Sequence, residues 1–406
     1  MKTNKTIKNL IFFVVILPMA CLSQPTIRGK VISRIDKKPI ANASVFLSNA
    51  TIGNETGDDG SFTLYNVRPG EYHLVVSVIG FETYHQDIKI YNNNVTLPDI
   101  QVSPKITVLK EVTVKIKVDP NRGRNYEWFK ENFLGTSELA NKCKILNPEV
   151  LDLIYKDSTK TLTASSDDFL VIENEALGYK IRYLLTDFSY ENKNENEKKI
   201  LYEGAVFFEE MKGSDTKENR WKKNRQDVYK NSPMHFLRSA LNDELDKEGF
   251  LTQKLLIYDN PDRPSDSLIN AKLTFYKSLK TFSFGQSDSL SYWIKKSKLP
   301  KKFSKLTAVK KQDIIKSTNQ PGQYDLSCET SKLFVAFNKT HRYHIKDWNN
   351  YLYNPSNDEN TLIKFNSPDA FFYSNGVIVN PYSVIYYGVW GRHRVAEQLP
   401  INYLEK

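Results

Sequence analysis

The chain has 406 residues, of which 40% are apolar, 12% aromatic and 26% charged. This composition excludes a wholly disordered chain, and the length predicts two or three domains. The formal net charge is +10, which by itself favours a polyanionic partner, and no uninterrupted apolar run reaches the ~18 residues that a membrane-spanning helix requires.

The first 23 residues predict a secretory signal peptide. Lys2, Lys5 and Lys8 form a basic start, and the apolar stretch Leu10–Ala20 that follows is too short to cross a bilayer as a helix. Small residues come next and end at Ser23. Cleavage after Ser23 would remove the three lysines and lower the net charge from +10 to +7.

Cys21 allows a lipid-anchored form, because lipoprotein signals place a cysteine after a small residue such as Ala20. Pro18 stands where these signals carry an aliphatic residue, so the sequence favours soluble export. In either form we expect the protein in the periplasm or associated with the outer membrane, which excludes nucleic acid as a partner. Export would also bring Cys143 and Cys328 into an oxidising compartment, where they either form a disulfide or remain buried thiols.

Residues 24–103 predict a small antiparallel β-sandwich. Short segments with alternating apolar residues are separated by turns rich in Gly, Pro, Asn and Asp, which is typical of this architecture. We expect Phe62, Leu64, Tyr72 and Leu74 on the inward side of the strands. The six predicted strands are Thr26–Ser33, Ser44–Ser48, Ser61–Val67, Glu71–Val78, Thr83–Ile90 and Val95–Val102.

The order of turn and core residues in this segment is specific. It runs through Ile27–Val31, Pro39–Val45, Asp59–Leu64, Pro69–Leu74 and Gly80–Phe81. This pattern resembles the carboxypeptidase regulatory-like domain, which implies a seven-stranded, transthyretin-like sandwich that is not itself catalytic. Asn42 and Gly57 depart from the usual pattern, but both exchanges stay among residues that tolerate a positive φ.

The resemblance also bears on the residues that follow the sandwich. In Gram-negative envelope proteins this domain often comes first, before a transporter or an uncharacterised body. Leu109–Val114 resembles the strand that commonly follows such domains, and we interpret residues 104–124 as a connector. Leu170–Tyr179 resembles the body of uncharacterised envelope proteins that begin with the same sandwich.

Residues 125–406 predict a larger α+β domain with a mostly antiparallel sheet, so that the whole chain is mainly β with α+β character. One helix is expected at Tyr126–Leu134. A second begins at Ser232-Pro233, where Ser is a good N-cap and Pro suits the first position, and ends at Gly249. Glu209–Lys230 is interpreted as a solvated face. The predicted strands are Leu151–Tyr155, Thr161–Ala164, Phe169–Glu173, Tyr179–Tyr190, Lys199–Glu209, Leu251–Tyr258, Ala271–Tyr276, Lys332–Asn338, Leu362–Asn366 and Val377–Trp390.

The sequence predicts no catalytic, cofactor-binding or metal-binding residue. It has six histidines but no His-x-x-Glu pair, which a zinc carboxypeptidase requires, and neither Gly-x-Ser-x-Gly nor a phosphate-binding loop. Three weaker patterns are His341–Asp347 as a metal site, Ser214–Lys217 as a Ser-x-x-Lys pair, and Asp259, Asp262 and Asp266 as calcium ligands. We favour a solvated segment, a charged turn and an Asx/Pro turn, respectively.

Ile294–Lys311 holds eight lysines and no acidic residue, with Trp293 before it and Phe303 within it. A stretch of this kind binds anionic lipid head groups or acidic glycans; the alternative is a solvated connection. Pro300 should prevent a single helix from running through the whole stretch. The predicted contact residues are Lys295, Lys296, Lys298, Lys301, Lys302 and Lys305.

These patterns together predict an exported, non-enzymatic cell-envelope protein that serves as a binding, scaffold or accessory module and uses no cofactor. Its partner is expected to be another envelope protein, a glycan or an anionic lipid surface. Two alternatives stay open: an envelope hydrolase directed at peptides or glycans, and an accessory part of a TonB-dependent uptake system.

Overall fold

The computed structural model describes residues 24–91, 93–105, 120–192, 198–279, 284–337 and 360–405. They form two compact units. The first contains the described residues up to 105 together with Ile181–Leu184 and Ala205–Glu210, and the second contains the others. The signal peptide, residues 106–119 of the connector and the motif His341–Asp347 lie outside the described residues, so the predictions on them stay predictions.

The first unit is a β-sandwich of two four-stranded sheets. In one sheet β1 lies between β4 and β7 and also pairs with β8, and the other has the order β3-β2-β5-β6. The pairings of β1 with β7 and with β8 are parallel. The strands are β1 Ile27–Ser33, β2 Ser44–Leu47, β3 Gly53–Glu55, β4 Ser61–Leu64, β5 Gly70–Ser77, β6 Tyr84–Ile90, β7 Val95–Thr96 and β8 Ile100–Val102.

The predicted core of the sandwich is confirmed. Phe62 and Tyr72 expose only 4% and 8% of their surface, because alternate residues of a strand point to the same face. Gly29 lies opposite Phe62 on the neighbouring strand, and a Cβ there would come within 2.7 Å of the Phe62 ring. The glycine therefore makes room for the aromatic side chain. Asn42 has a φ of 56°, which agrees with the departure noted in the sequence.

The second unit begins with helix α1, Arg122–Leu134. It is followed by strands of a six-stranded sheet with the order β10-β11-β13-β12-β9, in which β14 also pairs with β13. Phe129 and Phe133 of α1 are fully buried. The strands are β9 Cys143–Ile145, β10 Leu151–Lys156, β11 Thr161–Ser166, β12 Leu170–Asn174, β13 Tyr179–Asn192 and β14 Lys198–Glu210.

Two helices connect this sheet to the next. They are α2, Asp215–Tyr229, and α3, Pro233–Leu241. Helix α2 occupies most of the charged segment 209–230, and its first residue follows Ser214, so the Ser-x-x-Lys match is the start of a helix. The segment is solvated as predicted along most of its length, but Trp221 is buried and its Nε1–H donates to the carbonyl oxygen of Glu175 (2.9 Å).

A five-stranded sheet, β16-β15-β19-β20-β22, and a three-stranded sheet, β17-β18-β21, complete the second unit. Side chains of α3 and of both sheets form one hydrophobic core. The strands are β15 Phe250–Asp259, β16 Lys302–Ala308, β17 Ile315–Ser317, β18 Gln323–Leu326, β19 Lys332–Phe337, β20 Asn360–Phe365, β21 Ala370–Tyr373 and β22 Val384–Gly388. The remaining helices are α4 Asp266–Ser278, α5 Phe284–Ser297, α6 Lys311–Ile314 and α7 Val389–Arg392.

The predicted end of α3 at Gly249 is wrong, because the helix ends at Leu241. Asp243 has a φ of 61°, which an α-helix does not allow. The chain continues in turns to β15, and Leu245 still packs against the core. The apolar spacing that extended the predicted helix therefore reflects a buried side chain and not a further helical turn.

The predicted strand Ala271–Tyr276 is also wrong, because these residues belong to α4. Ser265 caps the helix, and its Oγ accepts a hydrogen bond from the Leu268 N–H (3.4 Å). The inward side chains Ile269, Leu273 and Tyr276 are spaced by four and three residues, which is the helical period. A six-residue window is too short to separate that period from alternation.

Candidate binding surface

The lysine-rich stretch belongs to an insertion in the second unit, residues 255–306, which we name the basic arm. Strand β15 pairs with β19 only through Phe250–Lys254. Beyond that point it pairs only with β16, down to the pair Asp259 and Lys302. The arm is therefore a two-stranded ribbon followed by α4 and α5, which pack on each other.

The junction between ribbon and helices is held by specific contacts. The Asn260 N–H donates to the carbonyl oxygen of Lys301 (2.9 Å), and Nε of Arg263 donates to that of Leu299 (2.9 Å). The Asp266 carboxylate forms two ion pairs, one with Lys301 Nζ (2.5 Å) and one with Arg263 Nη1 (2.7 Å). These bonds, first that to Lys301 and then that to Arg263, lower the pKa of the Asp266 carboxyl.

The same contacts define the structure of the loop that carries Asp259, Asp262 and Asp266, the possible calcium ligands. The Asp262 N–H donates to Oδ1 of Asn260 (3.0 Å), which is an Asx turn, and Asp266 is engaged by two cationic side chains. Among the described residues, no group of three or more His, Cys, Asp or Glu side chains is arranged to hold a metal ion. The loop acts as a turn that joins the ribbon to α4.

The helices of the arm bury very little. Ile269 is the single buried residue of α4, and α5 has none. Of the 17 large apolar side chains that are exposed among the described residues, seven lie on the arm, so apolar surface is concentrated there. They are Ile257, Tyr258, Leu268, Phe275, Phe284, Tyr292 and Phe303. Phe284, at the start of α5, is 89% exposed.

The structure places all six predicted lysines at the base of the arm. Lys295 and Lys296 lie in the last turn of α5, Lys298 and Lys301 lie in the segment that follows, and Lys302 and Lys305 lie on β16. Their surroundings differ.

Three of the six are engaged within the protein. Lys296 is half-buried and donates to the carbonyl oxygen of Asp262 (2.7 Å). Lys301 pairs with Asp266, and Lys302 lies 3.9 Å from Asp259. Among the described residues, the exposed side chains of Lys295, Lys298 and Lys305 form no ion pair, so these three are the cations open to a partner.

The sandwich carries a polar cluster that the sequence analysis missed. His73 of β5 lies between Asp87 and His85 of β6, with 2.8 Å from Nδ1 to the Asp87 carboxylate and 3.1 Å from Nε2 to Nδ1 of His85. Burial, and then the neighbouring His73, lowers the pKa of His85. The two imidazole rings are also stacked, with their centroids 5.2 Å apart and their planes inclined by 26°. Only the cross-strand register brings these residues together.

A cleft of about 530 Å³ lies in the second unit, between the turn that follows α1, the end of α2 and the C-terminal turns. Its lining includes Ser137, His393 and Glu397. Burial raises the pKa of Glu397, whose carboxylate accepts hydrogen bonds from Ser137 Oγ and from the Arg394 N–H. Burial, reinforced by Arg392 and Arg394, lowers the pKa of His393 to about 4. Through these two hydrogen bonds Glu397 holds the last turns of the chain.

The two cysteines are free thiols. Cys143 is buried, and burial, with a smaller effect of Glu397, raises the pKa of its thiol to about 12. Cys328 is half-buried and packs against the core of the second unit. The interpretation as buried thiols therefore describes Cys143 well, and no disulfide joins the pair.

Comparison with known families supports the sandwich assignment. Residues 27–114 match the family model of the CarboxypepD_reg-like domain, so the N-terminal part of the chain is a carboxypeptidase regulatory-like domain. This is a regulatory type of domain, which favours a binding or accessory role. No curated protein matches the chain, and no helix among the described residues is long and apolar enough to cross a membrane.

Solved structures resemble parts of the chain. A group B streptococcus pilus 2b backbone protein is 20% identical over 20% of this chain and 41% of its own, with a TM-score of 0.18. A type II cohesin–X-dockerin complex from Acetivibrio cellulolyticus is 16% identical over 19% and 56%, with a TM-score of 0.18. A putative carbohydrate binding protein from Bacteroides uniformis ATCC 8492 is 8% identical over 47% and 79%, again with 0.18. The chain spans less than two thirds of the first two, and scores this low carry no argument.

Proposed function

We propose that the protein is an exported, envelope-associated binding module, and that the basic arm attaches it to an anionic surface. The leader-like residues 1–23 and the regulatory-like domain support the envelope location. The observation that carries the proposal is the arm itself, where exposed apolar side chains occur on the same insertion as exposed lysines that form no ion pair with a described residue.

The small buried surface of the arm is the first support. Helices α4 and α5 have 13 and 14 residues and bury one side chain between them. Most helical stability in proteins comes from packing an apolar face against a core. Exposed apolar patches on soluble proteins commonly mark a surface that is covered by a partner, so the arm has the properties of a contact element.

Its charge is the second support. The arm contains nine lysines and one arginine against four aspartates and no glutamate, a net charge of +6. Cleavage after Ser23 would leave a net charge of +7, so the arm would carry almost all of the excess positive charge of the mature chain. A positive charge concentrated on one insertion raises the local concentration of anions and speeds their association.

The proposal is tested with two matched triple variants of the full chain. The first changes Lys295, Lys298 and Lys305 to Gln. The control changes Lys217, Lys222 and Lys223 of α2, which are equally exposed, and removes the same charge. We expect the arm variant alone to lose retention on two anionic matrices, phosphatidylglycerol-coated beads and immobilised polygalacturonate. Equal losses in the two variants, or no retention of the wild type, would contradict the proposal.

The location is tested separately in cells. Osmotic-shock fractionation, a carbonate wash and mass determination of the mature N-terminus distinguish export from retention. We expect the chain to begin at Gln24, or at a lipidated Cys21 if the anchored form is made. A full-length chain in the cytoplasmic fraction would contradict export.

A further inference from the structure

We infer that the surface bound by the basic arm is an anionic phospholipid membrane, along which the arm lies with its exposed apolar side chains entering the interface. This inference rests on the function proposed above and names the partner. Interfacial helices of this kind combine Lys or Arg with Phe, Trp or Leu and are held by apolar burial together with attraction to anionic lipids.

The outward rows of both helices have the required composition. In α4 the exposed residues Leu268, Lys272 and Phe275 follow one another at spacings of four and three. In α5 the exposed row runs through Phe284, Asp288, Tyr292 and Lys295, at spacings of four, four and three. Residues at such spacings share one face of a helix. The outer face of α4 therefore carries apolar and basic groups, and that of α5 carries apolar groups with one acid and, at its end, a lysine.

The ribbon at the base continues this pattern. Tyr258 and Phe303 lie opposite each other across the two strands, with their ring centroids 6.0 Å apart, and both rings are exposed. Lys305 is two residues from Phe303 on the same strand, and alternate residues of a strand share a face. Apolar and basic groups therefore accompany each other from the ribbon to the start of α5.

The apolar side chains favour a membrane over an acidic glycan. Both partners would satisfy the lysines, but a glycan in water gives Leu268, Phe275 and Phe284 no apolar phase to enter. A membrane interface takes up the rings and the aliphatic side chain while long lysine side chains extend to the phosphates. A second copy of the chain is disfavoured, because two arms of net charge +6 repel each other.

The length of α5 indicates how the arm must lie. Its 14 residues span ~21 Å, at 1.5 Å per residue, with Phe284 at one end and Lys295 near the other. Charge interactions fade over a Debye length of about 8 Å at physiological ionic strength. An upright arm with only Phe284 at the surface would leave the basal lysines out of range. The arm therefore lies along the membrane, where both ends make contact.

The test uses the full chain and vesicles of phosphatidylcholine with or without phosphatidylglycerol, sedimented at low and high salt. Three variants are compared with the wild type. The lysine variant is Lys295→Gln, Lys298→Gln and Lys305→Gln, the apolar variant is Phe275→Ser and Phe284→Ser, and the control is Ile35→Ser and Ile79→Ser. The control side chains are also highly exposed but lie in the first unit. Because all these residues are exposed, the folded state should tolerate the changes, and circular dichroism checks this.

We expect binding of the wild type to anionic vesicles that weakens in high salt. The lysine variant should lose about 100-fold in partitioning, from about fivefold per lysine near an anionic membrane. The partitioning of the apolar variant onto anionic vesicles should fall at least about tenfold, because two aromatic side chains no longer bury apolar surface in the interface. The control variant should bind as the wild type does.

A depth measurement separates insertion from purely electrostatic contact. Phosphatidylglycerol vesicles that carry bromine in their acyl chains should quench the fluorescence of Trp293. The contribution of this residue is the quenching of the wild type minus that of the Trp293→Phe variant. If the apolar variant binds like the wild type and this quenching is absent, membrane insertion is wrong. If retention on polygalacturonate persists in that case, the proposed attachment to an anionic surface still stands. If the wild type binds neither vesicles nor polygalacturonate, both proposals fail.

Discussion

The sandwich and the basic arm use their apolar residues in opposite ways. Between residues 27 and 102, 20 apolar residues are buried, whereas the described residues of the arm, 255–279 and 284–306, bury two, Leu255 and Ile269. Both regions consist of regular secondary structure, so the difference lies in what covers the side chains. The sandwich covers its own apolar surface, since its two sheets face each other. The arm leaves its surface to solvent or to a partner.

This difference separates stability from binding. Apolar burial is the dominant favourable contribution to folding, so substitutions in the sandwich should change the free energy of unfolding. Substitutions on the outer face of the arm remove no buried contact and should leave that free energy nearly unchanged.

Phe62→Ala should lower the free energy of unfolding of the first unit by ~3–5 kcal/mol, the usual range for removing a buried Phe. The ring fills the space above Gly29, and no neighbouring side chain replaces it. Chemical denaturation gives the free energy, and hydrogen exchange of β1 and β4 in the full chain assigns it to the sandwich. An unchanged free energy of unfolding would show that the buried Phe62 side chain does not stabilise the sandwich, which would contradict the prediction.

Acidification should weaken the body of the second unit by up to about 3 kcal/mol between pH ~6.5 and about 4. A histidine in an unfolded chain titrates near ~6.5, whereas burial lowers the pKa of His393 to about 4. Over this range the unfolded chain binds a proton that the folded chain does not. Stability therefore falls as the pH drops and levels off below about 4.

The measurement compares denaturant unfolding of the wild type and of His393→Gln across this pH range. The difference between the two isolates His393 from Glu397, whose pKa burial shifts upward. Parallel pH profiles of the two proteins would contradict the prediction.

Phe284→Ala should have the smallest effect on stability, within ~0.5 kcal/mol, as expected for a surface substitution. The side chain is 89% exposed, so its removal opens no cavity. The same denaturation experiment applies, which makes Phe62→Ala and Phe284→Ala a pair of identical changes in the two regions. If Phe284→Ala lowered the free energy of unfolding as much as Phe62→Ala does, the exposed apolar side chains of the arm would contribute to its stability. The division between a stabilising core and a binding arm would then be wrong.

The sequence predicted the sandwich well because its signals are local. Alternation in Tyr72 and Leu74, turn residues such as Gly60, and the positive φ of Asn42 each act within a few residues. It missed β3, whose residues Gly53–Glu55 contain no large apolar side chain. It also joined β7 and β8 into one strand, although Pro98 between them has no N–H to offer a neighbouring strand.

The candidate site was predicted only in part. The eight lysines are visible in the sequence as a run without acidic residues. That Lys301 and Lys302 face Asp266 and Asp259 depends on the pairing of β15 with β16, which joins residues about 40 positions apart. Lys295, Lys298 and Lys305 therefore emerged as the open cations only from the tertiary structure.

The β-sandwich and the place where positive charge accumulates could be predicted from the amino-acid sequence. Each follows from residues that are close together in the chain. The exposure of the outer faces of α4 and α5 within the described part of the chain became visible only in the tertiary structure. An amphipathic helix has the same apolar spacing whether that face meets a core or remains exposed. The outcome depends on whether another element lies against it, and that is set by contacts between residues far apart in the sequence.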